Sequence, residues 1–200
     1  MRRTCPPAWL AVAALLCAGA GQPDSEMPLS LAQLMATLNS VRHVEARYVE
    51  HRTLQALRTP LETRGTLRFE PPDRLEQATD PGPNGISERM TIEGDRLTID
   101  RGAGHAPVVL GVNEHPEIGV LVGSIRALLS GDAAALQRNF DITPSGTLGH
   151  WQLVLQPRGS ARRAMLQWMR VTGYGARITG IDTEQDNGDH SEMAIVEQAP

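Results

Sequence analysis

The sequence predicts an α+β domain in which antiparallel strands present one apolar face and helices cover it. Strand periodicity is clearest over Leu61–Glu70, where apolar or small residues alternate with charged and hydroxyl residues. Helical periodicity is clearest over residues 118–129, where apolar residues recur every three or four positions. The chain order, a helix, several strands, central helices and more strands, supplies both layers of such a fold.

The elements before the central helices follow from local patterns. Ser30 is a suitable cap for an amphipathic helix over residues 29–38. A period of two begins at residue 41, and Pro71-Pro72 ends the strand over residues 61–70. Glu93-Gly94-Asp95 joins two strands as a hairpin. The predicted strands of this half lie at residues 41–49, 61–70, 74–79, 90–92, 96–100 and 107–111.

The elements after the central helix are a short helix and closing strands. Ser130-Gly131 stops the central helix, and Asp132 caps a further helix that carries Ala135 and Leu136. Asn187-Gly188 lies in the last hairpin turn, because this pair tolerates positive φ angles. The predicted closing strands lie at residues 140–143, 151–156, 167–171, 176–183 and 191–197.

Residues 1–20 have the pattern of a secretory signal peptide. Arg2 and Arg3 precede a short apolar run, and Ala18-Gly19-Ala20 offers small residues for cleavage. The alternative is a lipid anchor at Cys17, but Leu16 stands where a lipobox has a small residue. We therefore expect residues 21–200 to form a single exported domain, without cysteine if the signal is removed.

Composition and motifs favour binding over chemistry. The net charge is −4, without a basic cluster, which argues against nucleic acid as a partner. Ser124 lies inside a helical pattern, so it is not the nucleophile of a strained turn. The acidic residues around Gly188 do not fit a calcium loop and suit a hairpin turn better. We expect no catalytic residue, no metal site and no cofactor.

Several segments together resemble the LolA/LolB lipoprotein-carrier group. They are residues 41–50, the Gly-x-Leu-strand-Pro segment from Gly65 to Pro72, and the hairpin Gly94-Asp95-Arg96-Leu97. The resemblance implies an open, strongly curved antiparallel half-barrel covered by helices, located in the periplasm. The segment around residues 60–76 looks closer to a divergent LolA-related subgroup linked with aryl-polyene pigments. The resemblance implies a monomeric carrier of lipoprotein or of polyene or fatty-acyl lipid, with an inner-membrane exporter and an outer-membrane acceptor.

On this interpretation the alternating apolar residues line a cavity and the central helix is its lid. The expected cavity residues are Val44, Ala46, Tyr48, Leu67, Phe69, Leu75, Met90, Ile92, Leu97, Ile99, Trp151, Leu153 and Leu155. The expected lid residues are Ile118, Leu121, Val122, Ile125, Leu128 and Leu129. Two alternatives stay open: the same residues could fill a solid core, or the half-barrel could serve a regulator of the RseB type. A small hydrolase is the weakest interpretation.

Overall fold

The computed structural model describes residues 28–40, 43–82, 85, 87–102, 104–159 and 166–197. The predicted signal peptide, with Cys5 and Cys17, lies outside these residues. So do the side chains of Ile118 and Leu121, although the backbone of their helix is described. In the described part of the chain, no helix has the length and apolar character needed to cross a membrane.

The described chain folds into three α-helices, one 3-10 turn and eleven strands. The helices are α1 (Leu31–Leu38), α2 (Pro116–Leu129) and α3 (Ala133–Asn139), and the 3-10 turn is Val112–Glu114. The first six strands are β1 (Val44–Thr53), β2 (Leu61–Glu70), β3 (Arg74–Thr79), β4 (Arg89–Glu93), β5 (Arg96–Asp100) and β6 (Val108–Gly111). The others are β7 (Phe140–Thr147), β8 (His150–Pro157), β9 (Leu166–Tyr174), β10 (Arg177–Gln185) and β11 (His190–Glu197).

The strands form one antiparallel sheet in the order β6-β5-β4-β3-β2-β1-β11-β10-β9-β8-β7. Two meanders, β1 to β6 and β7 to β11, are joined where β1 pairs with β11. The predicted α+β fold is confirmed: the sheet is an open half-barrel, because β6 and β7 form its two edges. The chain between these edges carries α2 and α3, so both helices must cross the sheet.

One face of the sheet, which we call the inner face, packs against the helices. Residues directly opposite in an antiparallel pair point to the same side. Following the register from strand to strand therefore shows which side chains share a face. One such row runs Ala46–Leu67–Gln77–Met90–Ile99, and every residue predicted to face the cavity lies on this side.

The apolar residues of the inner face form two separate clusters. The large cluster lies under the second meander, and Leu34, Leu38, Leu128 and Leu136 of the helices pack into it. The small cluster lies under the first meander and has Ile92, Leu97, Val112 and Val122 at its centre. Helix α2 contributes to both clusters, through Val122 near its middle and Leu128 near its end.

The opposite face is held by pairs of arginines and carboxylates, as the polar residues of each strand predict. Arg47 pairs with Asp80, Arg68 with Glu45, and Arg170 with Asp182. These side chains are all substantially exposed, so each pair adds little to stability. Their main effect is to keep this face in water and to leave the inner face as the apolar one.

The element boundaries differ from the prediction in a few places. Helix α1 begins at Leu31, where Ser30 accepts a hydrogen bond from the Gln33 N–H, and not at Leu29. The closing strands are longer than predicted, and β7 continues through Pro144 to Thr147. Proline is tolerated there because β7 is an edge strand. The 3-10 turn before α2 was not predicted.

Candidate functional site

The predicted cavity residues occupy two different environments on the inner face. Trp151, Leu153 and Leu155 of β8 lie in the large cluster with 3%, 0% and 1% of their surface exposed. Packed in this way, they offer little free surface. Of the residues in the first meander, Ala46, Tyr48, Phe69, Ile92 and Leu97 are buried, whereas Val44, Leu67, Leu75, Met90 and Ile99 are only partly buried. Whether any of them contacts a ligand stays a prediction.

The partly buried residues leave apolar surface accessible next to the small cluster. Leu75, Met90 and Ile99 pack on that cluster without being buried completely. The hydroxyl of Tyr48 is a polar group on the same face. It contacts Thr79 Oγ1 at 3.0 Å and accepts a hydrogen bond from Gln77 Nε2 at 3.1 Å. The first meander therefore has an apolar face that the helices cover only in part.

Helix α2 lies where the lid was predicted. Among the predicted lid residues with described side chains, Val122 packs in the small cluster and Leu128 in the large one. Ile125 and Leu129 are partly buried. Gly131 follows α2 and has a positive φ angle. A Cβ atom at this position would lie 2.2 Å from the Met35 carbonyl oxygen of α1. The end of α2 is therefore fixed against α1.

A cleft of about 540 Å³, largely open to solvent, lies beside α2, and we call it the α2 cavity. This volume falls within the range of about 300–1,000 Å³ that is typical of small-molecule sites. Val112 and Val122 belong both to its wall and to the small cluster, so the cavity is continuous with apolar surface. Its other lining residues are Gly94, Asp95, Asn113, Gly119, Val120, Gly123, Arg126 and Asn139.

Two glycines on α2 line the α2 cavity. Gly119 and Gly123 are one helical turn apart and lie on the same side of the helix. A Cβ atom built on Gly123 would meet no other atom within 4 Å, so the space beside it is empty. A Cβ atom on Gly119 would lie 3.1 Å from the Val112 carbonyl oxygen, which places the helix close to the 3-10 turn.

Arg126 is the unusual polar residue of the α2 cavity. Its Nε and Nη2 atoms are buried and have no hydrogen-bond partner among the described residues. Leaving a buried donor unsatisfied costs about 1–3 kcal/mol, and more when the group is charged. Asp95 lines the same cavity, but its Oδ1 accepts a hydrogen bond from the Asn113 N–H at 2.7 Å. Arg126 therefore lines a partly apolar cavity while its Nε and Nη2 atoms are covered and bonded to no anion of the described part of the chain.

The contribution of Arg126 was missed at the level of sequence. The signal was visible, since Arg126 is the charged residue within an otherwise apolar stretch from residue 120 to 129. Its spacing from Val122 and Gly123 predicts that all three share one side of the helix. The remaining polar residues of the cavity are Asp95 and Asn113 from turns and Asn139 at the end of α3, and their meeting depends on the tertiary fold.

A second cavity of about 620 Å³ lies at the ends of β7 to β10. Ser145, Gln152 and Thr172 contribute hydroxyl and amide groups to a wall that is otherwise mostly apolar. Trp151 lies at its base, where its indole Nε1 donates to the Gly175 carbonyl oxygen at 2.9 Å. No described helix residue lines this second cavity, whereas the α2 cavity lies beside the predicted lid and shares Val112 and Val122 with the small cluster. The α2 cavity is therefore the candidate for a ligand covered by that lid.

Ser124 and the acidic residues near the last hairpin make contacts within the fold. Ser124 is buried, and its hydroxyl donates to the Val120 carbonyl oxygen within the same helix. Near the last hairpin, Asp182 pairs with Arg170 and Glu184 with His190, while Asp189 Oδ1 accepts the Gln55 N–H. Within the described ranges, no three acidic, cysteine or histidine side chains come together as a metal site.

Comparison with models of known protein families finds a match over most of the chain. Residues 23–199 match the model of the family described as "Outer membrane lipoprotein carrier protein LolA-like". No curated protein matches the sequence significantly.

Three solved structures are similar to the fold at low sequence identity. A LolA superfamily protein from Nitrosomonas europaea is 9% identical, with a TM-score of 0.45 over 86% of this chain and 96% of that chain. A putative outer membrane lipoprotein-sorting protein domain from Vibrio parahaemolyticus is 8% identical, with a TM-score of 0.47 over 84% and 91%. The lipoprotein LppX from Mycobacterium tuberculosis is 8% identical, with a TM-score of 0.42 over 85% and 96%.

Proposed function

The chain belongs to the LolA-like family of outer membrane lipoprotein carrier proteins, and we propose that it binds a lipid or lipidated cargo beneath α2 and carries it toward the outer membrane. The protein acts by sheltering its cargo from water and performs no chemistry on it. The supporting observation is the α2 cavity, which is continuous with the incompletely covered apolar face of the first meander.

The energetics of acyl-chain transfer explain why a partly filled inner face suits this task. Each methylene removed from water contributes about 0.8 kcal/mol, so one long chain gains on the order of 10 kcal/mol before losses. A carrier must match much of this gain to extract a chain from a membrane, and it must also release it. A cavity that fits the acyl chain only moderately allows both extraction and release, whereas a deep, closely packed site hinders release.

Helix α2 is suited to open without unfolding the domain. Its end is fixed against α1 at Gly131 and in the large cluster through Leu128. Its middle meets the first meander through Val122 in the smaller of the two clusters. Outward movement of the beginning of α2 would expose the small cluster and leave the large cluster intact. On this proposal the acyl chain of the cargo contacts Ile92 and Leu97 in place of Val122.

The remaining parts of the proposal concern location and partners. The signal-like segment at residues 1–20 supports export to the periplasm. There the carrier, as a monomer, would receive cargo from an inner-membrane exporter and deliver it to an outer-membrane acceptor. The cargo is a lipoprotein or a fatty-acyl or polyene lipid.

Titration with a fluorescent fatty acid tests whether the inner face binds an acyl chain. We expect the wild-type protein to bind the probe and unlabelled palmitate to displace it. Ile99→Arg places a charge on the inner face of β5 and should weaken binding more than tenfold. Thr98→Arg is the matched control, because it adds the same charge on the opposite face of the same strand. Absence of binding by folded wild-type protein would contradict the proposal and favour a regulator that uses the same half-barrel.

A further inference from the structure

We infer the class of ligand from one edge of the Arg126 guanidinium group, the edge that carries Nε and Nη2. Nε and Nη2 lie on the same edge of a guanidinium group, where their N–H bonds are nearly parallel. This edge matches the two oxygens of a carboxylate or of a phosphate in a bidentate contact. In this protein these two atoms are buried without a partner among the described residues. A ligand therefore reaches them only when the beginning of α2 moves outward, as the proposed function requires.

We propose that the α2 cavity is a headgroup site, in which Arg126 binds the oxyanion of an acyl lipid whose chain lies along the small cluster. The inference rests on the proposed function and deepens it by naming the class of cargo. The shared chemistry is an oxyanion, carboxylate or phosphate, attached to a long apolar chain. A neutral lipid would leave Nε and Nη2 unpaired, and a free anion would leave the apolar wall empty.

The position of Arg126 within the cavity supports a ligand with two chemically different ends. Gly123 precedes Arg126 by three residues and leaves empty space beside the helix. Val122 lies on the same side of the helix and belongs to the small cluster, together with Ile92 and Leu97. An oxyanion at Arg126 therefore has an apolar path next to it along which a chain can extend.

Asp95 is the opposing charge that the site must accommodate. It lines the α2 cavity, and a ligand oxyanion would be repelled by its carboxylate. Its Oδ1 is already bonded to the Asn113 N–H, and the Asp95 residue is exposed to solvent, which weakens the repulsion. Removing this charge by Asp95→Asn should therefore strengthen oxyanion binding, by about threefold to tenfold.

Replacing an arginine that binds a ligand and replacing one that stabilises the fold should affect stability differently. An arginine that stabilises the fold has protein partners, and its removal lowers the melting temperature. Arg126→Gln removes a charge that, within the described ranges, lacks such partners at two of its buried nitrogens, so we expect an unchanged or higher melting temperature in the absence of lipid. Arg138→Gln, on the exposed surface of α3, is the matched control.

The decisive experiment measures binding of four probes to wild type, Arg126→Gln and Arg138→Gln. The probes are palmitate, hexadecyl phosphate, hexadecanol and inorganic phosphate. We expect Arg126→Gln to weaken palmitate and hexadecyl phosphate by about tenfold or more. Hexadecanol should bind wild type and variant within about twofold of each other, and inorganic phosphate should displace neither palmitate nor hexadecyl phosphate.

Each contrary outcome identifies which statement fails. If wild type binds no acyl probe, the proposed function fails. If wild type binds all three acyl probes and Arg126→Gln changes none of them, the carrier function stands and the headgroup site is overturned. If inorganic phosphate displaces the acyl oxyanions from wild type, the site recognises a free anion and the acyl assignment is overturned.

Discussion

Ser191 of β11 donates a hydrogen bond from its hydroxyl to Glu50 Oε1 of β1 at 2.6 Å, across the joint between the two meanders. Glu50 is only 4% exposed. Its carboxylate also accepts from Arg52 Nε at 2.8 Å and from Thr63 Oγ1 of β2 at 3.3 Å. One buried carboxylate on the inner face therefore links the strands that unite the two halves of the sheet.

Removing this carboxylate should destabilise the whole domain. Glu50→Ala leaves Ser191, Arg52 and Thr63 without their shared acceptor, and we expect a loss of about 3 kcal/mol in the free energy of unfolding. Urea denaturation followed by circular dichroism measures it. Glu62→Ala, at the exposed start of β2, is the control and should lower the free energy of unfolding much less. Equal losses in the two variants would show that the Glu50 network does not hold the joint.

Two glycine substitutions should have opposite effects on stability. A Cβ atom on Gly173 would lie 2.1 Å from the Arg177 carbonyl oxygen and 2.3 Å from Trp151 Cζ2, so Gly173→Ala should cost about 3 kcal/mol. A Cβ atom on Gly123 meets nothing, and Gly123→Ala should stabilise α2 by about 0.5–1 kcal/mol. Thermal unfolding of both variants tests the pair. A destabilising Gly123→Ala would mean that the space beside α2 is already filled.

Filling the α2 cavity should block lipid binding without unfolding the protein. Gly123→Phe directs a large side chain into the space that lines the cavity, and we expect at least a tenfold loss of affinity for the fluorescent fatty acid. Gly123→Ala is the matched control and should keep most of the affinity. Unchanged binding in a folded Gly123→Phe protein would place the acyl chain elsewhere on the molecule.

The last hairpin should make stability depend on pH through His190. Burial lowers the pKa of His190, but hydrogen bonds with Glu192 and Glu184 outweigh burial and raise that pKa above its ordinary value. A raised folded-state pKa stabilises the fold fully below the unfolded value of about 6.5, and this contribution is lost as the pH rises through the folded value. Wild type should therefore exceed His190→Gln in stability by more at about pH 5.5 than at about pH 9.

Equilibrium urea denaturation of both proteins at the two pH values measures this difference. Glu184→Gln is a useful companion, because it keeps His190 and removes one of the two carboxylates that raise its pKa. NMR titration of the His190 ring should show the lower pKa in that variant. A stability difference that is the same at both pH values would contradict the assignment.

Much of the fold could be predicted from local sequence patterns. Leu61–Glu70, Arg74–Thr79 and Arg96–Asp100 have the predicted bounds, because each ends at proline, glycine or a polar turn. Leu61–Glu70 and Arg96–Asp100 also alternate cleanly. The cap at Asp132 also forms as predicted, since its side chain accepts the Ala135 N–H. These features depend on interactions within a few residues along the chain.

The candidate site was less predictable because it depends on how distant elements meet. Alternation showed which residues of β8 share a face with those of β4 and β5, but it could not show that α1 and α3 bury Leu153 and Leu155. Nor could it show that the inner face divides into two clusters. Arg126 required knowledge of the turns around it, because an unsatisfied donor is defined by its neighbours in space.

The most direct test of the carrier account is an NMR measurement of the contacts made by a bound acyl chain. Carbon-13-labelled palmitate is added to protein with labelled methyl groups, and nuclear Overhauser effects between chain and methyls are recorded. The account predicts contacts with Ile92, Leu97 and Val122 beside α2. Contacts confined to exposed methyls such as those of Val109 and Val196, or no intermolecular contacts at all, would contradict it.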